Sequence, residues 1–463
     1  MKEIIIPIKN FNRENYNLFI KSKKLPKYKI VGNNILTDEI SYNSIFSKKK
    51  IESLNSDFKK YQFDYQNYII NTALKKRNYA AFLDCGLGKT SIQLEWCNSV
   101  SEIGKVLLLC PLAVMQEFYN DNEKFNITKK ITNLRNNEKW ESGIGIINYE
   151  SMRNIDMSGV TGICLDESSI LKNGDGKIRK YLQDLQSNCD YRIACSATPS
   201  PNDQSEYASH AVFLNQAMTL KEYYSRYFRK DGTRWIMKGH AENAFYNNLS
   251  SWAIYVNDPE MMGFESGGKL KEEPEYIEVH TKTKERYIDN DYLIQTSISL
   301  SEFSKVASHL RCNPEEPRFK EGIERIKNQN SIIWTIRNNE QDLYKKHLKD
   351  SVVIDGKTPI EKRVEIINQF KKGNIQYLIS KPKVLGFGVN IQEAESHLYS
   401  GYDFSFESFY QAVRRSHRYG RKGKLKVYIP IADIEYPIYE ILKRKLNSFE
   451  NDIKKLQSKF LLN

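Results

Sequence analysis

The sequence predicts an α/β protein made of two parallel-sheet units in tandem along 463 residues. Two series of apolar segments carry that reading. From about 60 to 255, short apolar runs alternate with turn residues and helical stretches: Ala80-Ala-Phe-Leu83, Val106-Leu-Leu-Leu-Cys110, Gly145-Ile-Ile-Asn148, Gly162-Ile-Cys-Leu-Asp166 and Arg192-Ile-Ala-Cys195. Strands that are apolar on both sides belong to parallel sheets covered by helices on both faces. A second series has the same texture: Ser331-Ile-Ile-Trp-Thr335, Ser351-Val-Val-Ile-Asp355, Gln376-Tyr-Leu-Ile379, His397-Leu-Tyr399 and Lys426-Val-Tyr-Ile-Pro430. The length suits two or three domains.

The expected organisation is a small N-terminal accessory region (1–58), a first unit with a helical insertion (59–256), a linker and second unit (257–445), and a helical tail (446–463). Residues 215–325 read as helical insertions plus a linker, with Glu265-Ser-Gly-Gly-Lys269 as a flexible joint. With 40% hydrophobic and 12% aromatic residues, the chain is globular rather than disordered. Its net charge of +13 favours a polyanionic partner; a lysine-rich solvated surface is the plain alternative. Seven cysteines without a C-x-x-C pair read as reduced and mostly buried, as in a cytoplasmic protein. The N-terminus does not read as a signal peptide, and no apolar run is long enough to span a membrane. Seven dispersed histidines show no metal-ligand spacing.

Gly86-Leu87-Gly88-Lys89-Thr90, with Ser91, follows an expected strand and opens an expected helix. Backbone N–H groups and a helix N-terminus suit phosphates there, Lys89 suits β/γ oxygens, and the Thr90 hydroxyl suits Mg²⁺. The usual first glycine of such a loop is Leu83 here. Asp166 and Glu167 end another buried strand. One can hold Mg²⁺ while the other deprotonates water, although the pair alone also fits a helix cap. Ser196-Ala-Thr198-Pro199 ends a further strand; its hydroxyls suit coupling to a phosphate site, or a simple strand-to-turn cap. In the second unit, Gly386-Phe-Gly388-Val-Asn390 supplies a close-approach loop. Arg415 and Arg418 are three apart on an expected helix, so they share a face. Arginines so placed suit a transferring phosphoryl group; a solvated basic stripe is the alternative.

In order and spacing, these segments resemble superfamily-two helicases and translocases, in particular their Swi/Snf type of DNA translocase, over about residues 60 to 445. Phe63-Asp-Tyr-Gln66 is similar to the element whose glutamine reads adenine. Pro111-Leu-Ala-Val-Met-Gln-Glu-Phe118 is similar to a DNA-contacting tract, and Asn148-Tyr-Glu-Ser151 to the tract after it. Leu165-Asp-Glu-Ser-Ser-Ile-Leu-Lys-Asn173 resembles D-E-A-H-x-x-K-N, with Ser169 where histidine is usual. Asp355-Gly-Lys-Thr-Pro359 and Gln411-Ala-Val-Arg-Arg-Ser-His-Arg-Tyr-Gly420 resemble second-lobe signatures, with Arg421 where glutamine is usual. Phe228-Arg-Lys-Asp-Gly232, Lys238-Gly-His-Ala241 and Ser251-Trp-Ala253 resemble phage-encoded members.

The resemblance implies two RecA-like lobes with ATP and Mg²⁺ between them. It assigns Gln66, the 86–91 loop, Gly388 and Gln411 to ATP, and Thr90 and Asp166 to the metal. Glu167, Asp166, Lys89, Arg415 and Arg418 become catalytic, Ser196 and Thr198 coupling groups, and Lys172 and Lys383, with backbone groups near Pro111 and Ser380, DNA contacts. The implied activity is ATP-driven movement on duplex or branched DNA in replication, recombination or repair, in the cytoplasm of a bacterial or phage-infected cell, with protein partners or RNA as further partners. A strand-separating DNA or RNA helicase is the nearest alternative, because Ser196-Ala-Thr198 is similar to many helicases. An ATP-gated binding subunit of a larger complex is another. No nuclease or methyltransferase motif is recognisable.

Overall fold

The structure, a computed structural model, describes residues 3–8, 13–23, 25, 28–38, 61–128, 130–136, 138–152, 155–172, 181–182, 189–265, 272–283, 307, 310–385, 390–401, 405–418, 421 and 423–460. The joint at 266–269, Gly388 with its neighbours 386–389, and Gly420 lie outside these.

The N-terminal region forms β1 (Glu3–Pro7), a helix Arg13–Ser22, β2 (Tyr28–Val31) and β3 (Asn34–Asp38). The strands make an antiparallel sheet in the order β1-β3-β2 around Ile6, Leu25 and Ile35. Gly32, at φ +57°, allows the two-residue turn between β2 and β3.

Seven strands build the first large sheet: β4 (Asn78–Leu83), β5 (Lys105–Cys110), β6 (Ile131–Asn133), β7 (Ile144–Asn148), β8 (Val160–Leu165), β9 (Tyr191–Ser196) and, after a short hairpin of β10 (Phe228–Asp231) and β11 (Arg234–Met237), β12 (Ala253–Val256). Their order is β12-β4-β9-β8-β5-β7-β6 and every pairing is parallel. The second sheet contains β13 (Glu275–Thr281), β14 (Ser331–Trp334), β15 (Ser351–Ile354), β16 (Tyr377–Ser380), β17 (Ser396–Tyr399) and β18 (Lys426–Ala432), in the all-parallel order β13-β18-β17-β14-β16-β15. The two expected parallel-sheet units are therefore both present.

The region read as helical insertions and linker differs from that expectation. It contains the hairpin and two sheet-edge strands, β12 and β13. Strand β13, Glu275-Tyr-Ile-Glu-Val-His-Thr281, pairs on one side only and is largely exposed, so its sequence alternates instead of running apolar. A single helix, Tyr436–Phe460, runs through the boundary drawn between 445 and 446. Its first half meets the second lobe, where Tyr439 Oη and Lys443 Nζ donate to Glu278 Oε1 at 2.9 Å each. Its second half rests on the first lobe: Asp452 accepts from Gln204 at 2.5 Å and Tyr246 at 2.8 Å, and Gln457 pairs with Asn257.

Candidate active site between the lobes

Parallel strands place their C-terminal ends along one edge, where loops gather. The loop after β4 turns through Gly86 (φ +87°) and Gly88 (φ +74°) into the helix Lys89–Ser101. A side chain at Gly88 would meet Gln66 Nε2 at 2.2 Å, so position and conformation both require glycine. Leu83 is the buried last residue of β4, and its carbonyl accepts from Lys89 Nζ at 3.1 Å. The loop is braced from behind. Tyr65 Oη donates to the Leu87 carbonyl at 2.9 Å and Gln66 Nε2 does so at 3.1 Å. Gln66 Oε1 accepts from the Phe63 N–H at 3.1 Å, so both ends of its amide are engaged by protein.

Asp166 follows β8 and is buried, with Oδ1 accepting from Gln93 at 2.9 Å. Burial raises its pKa above the usual carboxylate range despite Lys89 nearby. Glu167 has φ +48°, a strained backbone for a non-glycine residue, of a kind that clusters at functional sites. Ser196 Oγ reaches Glu167 Oε2 at 3.5 Å. Burial first, and the charge of Asp166 second, push the Glu167 carboxyl up to about 7. The pair thus holds two acids in adjacent but different settings, one of them poised to exchange a proton near neutrality.

The second lobe supplies the facing wall. The helix Phe406–Val413 stops at Val413, so Arg415 and Arg418 lie in the tight turn that follows rather than on a helix as expected. The turn is fixed: the Arg415 carbonyl accepts from the Ile391 N–H at 3.0 Å, and Ser416 Oγ bonds His397 Nε2 at 2.8 Å. Trp334 Nε1 donates to His397 Nδ1, and burial lowers the pKa of this imidazole to about 3, so it is neutral and carries its proton on Nε2. Both arginines line one cleft with Gly86, Lys89, Thr90, Asp166 and Glu167, a space of about 1650 Å³ including its open mouth. A side chain at Gly86 would lie 3.9 Å from the Arg418 backbone. Arg415 is buried, its Nε has no hydrogen-bond partner, and burial beside Arg418 lowers its pKa to about 10. Glu167 and Glu117 offset part of this charge, and the two guanidinium groups share the cleft with the glycine loop.

Residues 12–251, just over half of the chain, match the SNF2-related domain. The chain belongs to the SNF2-related family. Residues 318–420 match the helicase conserved C-terminal domain, so the two parallel sheets are the paired RecA-like lobes of this SNF2-related chain. Its curated relatives include human TATA-binding protein-associated factor 172 (21% identical, over 86% of this chain and 28% of that protein) and an uncharacterised ATP-dependent helicase of Mycoplasma pneumoniae (23%, over 90% and 44%). A zebrafish DNA repair and recombination protein, RAD54-like, is 28% identical over 31% of this chain and 24% of its own length. The chain therefore spans less than half the length of these relatives. Among solved structures, the Sulfolobus solfataricus SWI2/SNF2 ATPase core in complex with double-stranded DNA is 19% identical, covering 88% of this chain and 99% of that one with a TM-score of 0.42.

Other sites expected from the SNF2-related sequence fall as follows. Gln411 is buried in the helix Phe406–Val413 and does not line the cleft. Ser380 is fully buried at the end of a central strand, its hydroxyl donating to the Ile354 carbonyl at 2.7 Å, so its side chain offers no surface to DNA. Pro111 is half-buried after β5, and Lys383 is exposed on a second-lobe pocket. Lys172 is turned into the lobe interface and paired with Glu407. Arg421 donates to the carbonyls of Gln392, Ala394, Glu395, Gly423 and Lys424, a structural brace within the second lobe. Sequence reasoning missed Tyr61, Phe63 and Glu117, which also line the cleft. It also missed Asp84, which accepts from Tyr410 Oη at 2.7 Å across the lobes and pairs with Arg414 at 3.4 Å. The aromatic run around Gln66 was the available signal for the first two; the Asp84 contacts have none, because they exist only once the lobes meet.

Proposed function

We propose that this chain is a DNA-stimulated ATPase that moves along duplex or branched DNA. The observation that carries the reading is the cleft itself: a glycine loop and acid pair on one wall, and two arginines, one buried and incompletely bonded, on the other. ATP is the substrate that fits such a donor set. Loop N–H groups, Lys89 and Thr90 would hold its phosphates. The oxygen donors of Thr90 and Asp166 suit Mg²⁺, which when bound would neutralise phosphate charge. Glu167 takes a proton from water, the water oxygen bonds the γ-phosphorus, and the bond to the β–γ bridging oxygen breaks, leaving ADP and phosphate. Arg415 and Arg418 offset the charge that spreads over the γ-oxygens. Because these groups come from two lobes, hydrolysis and lobe closure are one event.

DNA would be held mainly through phosphates, by Lys383, the Pro111 segment and, when released from Glu407, Lys172. The basic net charge and the DNA repair and recombination name of the RAD54-like relative support DNA as the partner. A strand-separating helicase on DNA or RNA is the second reading, favoured by Ser196-Ala-Thr198. Placement among phage-encoded members, cytoplasmic location, and protein partners in a replication or recombination complex belong to the same proposal, and rest on the segments quoted above.

ATP hydrolysis measured with duplex, single-stranded, forked and four-way DNA and with RNA, at two salt concentrations, tests the reading. Duplex or branched DNA should stimulate most, more weakly at higher salt, and Lys89→Ala should abolish the signal. Stimulation by single strands alone favours the helicase. Turnover near zero with every nucleic acid, at full ATP affinity, favours a binding subunit instead.

A further inference from the structure

One acid outside the cleft joins the lobes at the segments that carry the cleft's first-lobe chemistry. Glu407 lies in the first turn of the helix Phe406–Val413, whose start is capped by Ser405 accepting from the Ser408 N–H at 3.3 Å. An acid there is favoured by the helix dipole. Six residues and about 9 Å further on, the same helix ends and the Arg414–Arg418 turn begins. Glu407 therefore sits on the rigid element that delivers the arginines.

Its carboxylate is taken up entirely by the other lobe. Oε1 accepts from Ser169 Oγ at 2.5 Å and from Thr198 Oγ1 at 3.4 Å, and Oε2 pairs with Lys172. Ser169 and Lys172 belong to the short helical turn Ser168–Lys172 that directly follows Glu167. Thr198 lies two residues beyond Ser196, whose hydroxyl reaches Glu167 and also accepts from the Thr198 N–H at 3.1 Å. The Glu407 and Lys172 side chains keep only 16% and 26% of their exposure, so the pair is shielded enough to matter, unlike an open surface pair. Glu407 gives Ser169 its partner across the interface.

We propose that Glu407 is a positioning residue for hydrolysis: it keys the arginine helix of the second lobe onto Ser169, Lys172 and Thr198, and so sets where Arg415 and Arg418 stand relative to Glu167. The inference rests on the ATPase reading. It also means that DNA phosphates reach Lys172 only in competition with Glu407.

The test compares Glu407→Ala, Glu407→Gln, Lys172→Glu and the swap Lys172→Glu with Glu407→Lys, in the full chain. DNA-stimulated kcat, ATP affinity from fluorescent-nucleotide titration, and the thermal unfolding midpoint are read for each. A misplaced reacting geometry costs on the order of a hundredfold in rate. Glu407→Ala should therefore lower kcat by about that factor while ATP affinity stays near wild type and the unfolding midpoint falls only modestly. Glu407→Gln should fall between, and the swap should recover activity that Lys172→Glu loses. Unchanged kcat in Glu407→Ala, or a loss matched by an equal weakening of ATP binding, overturns the proposal. If the wild-type chain hydrolyses no ATP with any nucleic acid, the ATPase reading fails. The contact itself is still judged from unfolding midpoints of Glu407→Gln, Lys172→Gln and the double variant, where purely additive shifts overturn it.

Discussion

The two walls of the cleft are held in opposite ways. On the first-lobe wall three key groups already have protein partners: Lys89 on the Leu83 and Asp84 carbonyls, Asp166 on Gln93, and both ends of Gln66 on backbone. On the second-lobe wall, Arg415 is buried beside another cation with its Nε unbonded. This second wall gathers two cations whose charge Glu117 and Glu167 offset only in part, which favours an anion there. In this reading, ATP does little to organise the loop and much to justify the arginines, which makes lobe closure sensitive to nucleotide.

The sharpest way to break that comparison is Arg415→Met. Arginine aimed at a transferring phosphoryl group is worth roughly a thousandfold or more in rate, so turnover should fall by that order. Yet the nucleotide-free chain should unfold at a higher temperature, because a poorly compensated buried charge has been removed. A lower midpoint would show that Arg415 is already satisfied. Gly88→Ala strains the opposite wall. The left-handed backbone costs about 1–2 kcal/mol for a residue with a Cβ, and Gln66 stands in the way. Nucleotide titration should show ATP binding weakened about tenfold or more, and near-normal affinity would mean the loop is not preformed. The mildest effect is on pH. Burial and the charge of Asp166 push the Glu167 carboxyl up to about 7. Below that it holds its proton and cannot accept another from water, so kcat/KM should drop about tenfold per pH unit on the acid side and level off above. A flat profile from pH 6 to 8 would remove Glu167 from the role of base.

Much of the first wall was legible in the sequence because it is local. Strand, glycine loop and helix are contiguous, and Asp166-Glu167 follows its own apolar run. The sheets were legible for the same reason: strands such as Val106–Cys110 are buried on both faces and so are apolar throughout. Strand β13 hid because a half-exposed edge keeps alternating polar residues. Glu407, Asp84 and Arg414 hid for a different reason. Each is an ordinary charged residue until the lobes come together, and the partners lie 235 positions apart for Glu407 and Lys172 and 330 for Asp84 and Arg414. The arginine turn was read as helix because Arg-Arg-Ser-His-Arg has no breaker of its own; the turn is imposed by bonds to Ile391 and His397.

The helix Tyr436–Phe460 has a consequence for any stroke. Over 25 residues it spans on the order of 37 Å, anchored by Glu278 at one end and by Gln204, Tyr246 and Asn257 at the other. A bar fixed to two bodies lets them swivel but resists their being pulled apart. As long as both anchorages hold, a cycle of this chain is measured in degrees about that bar and not in ångströms of gap.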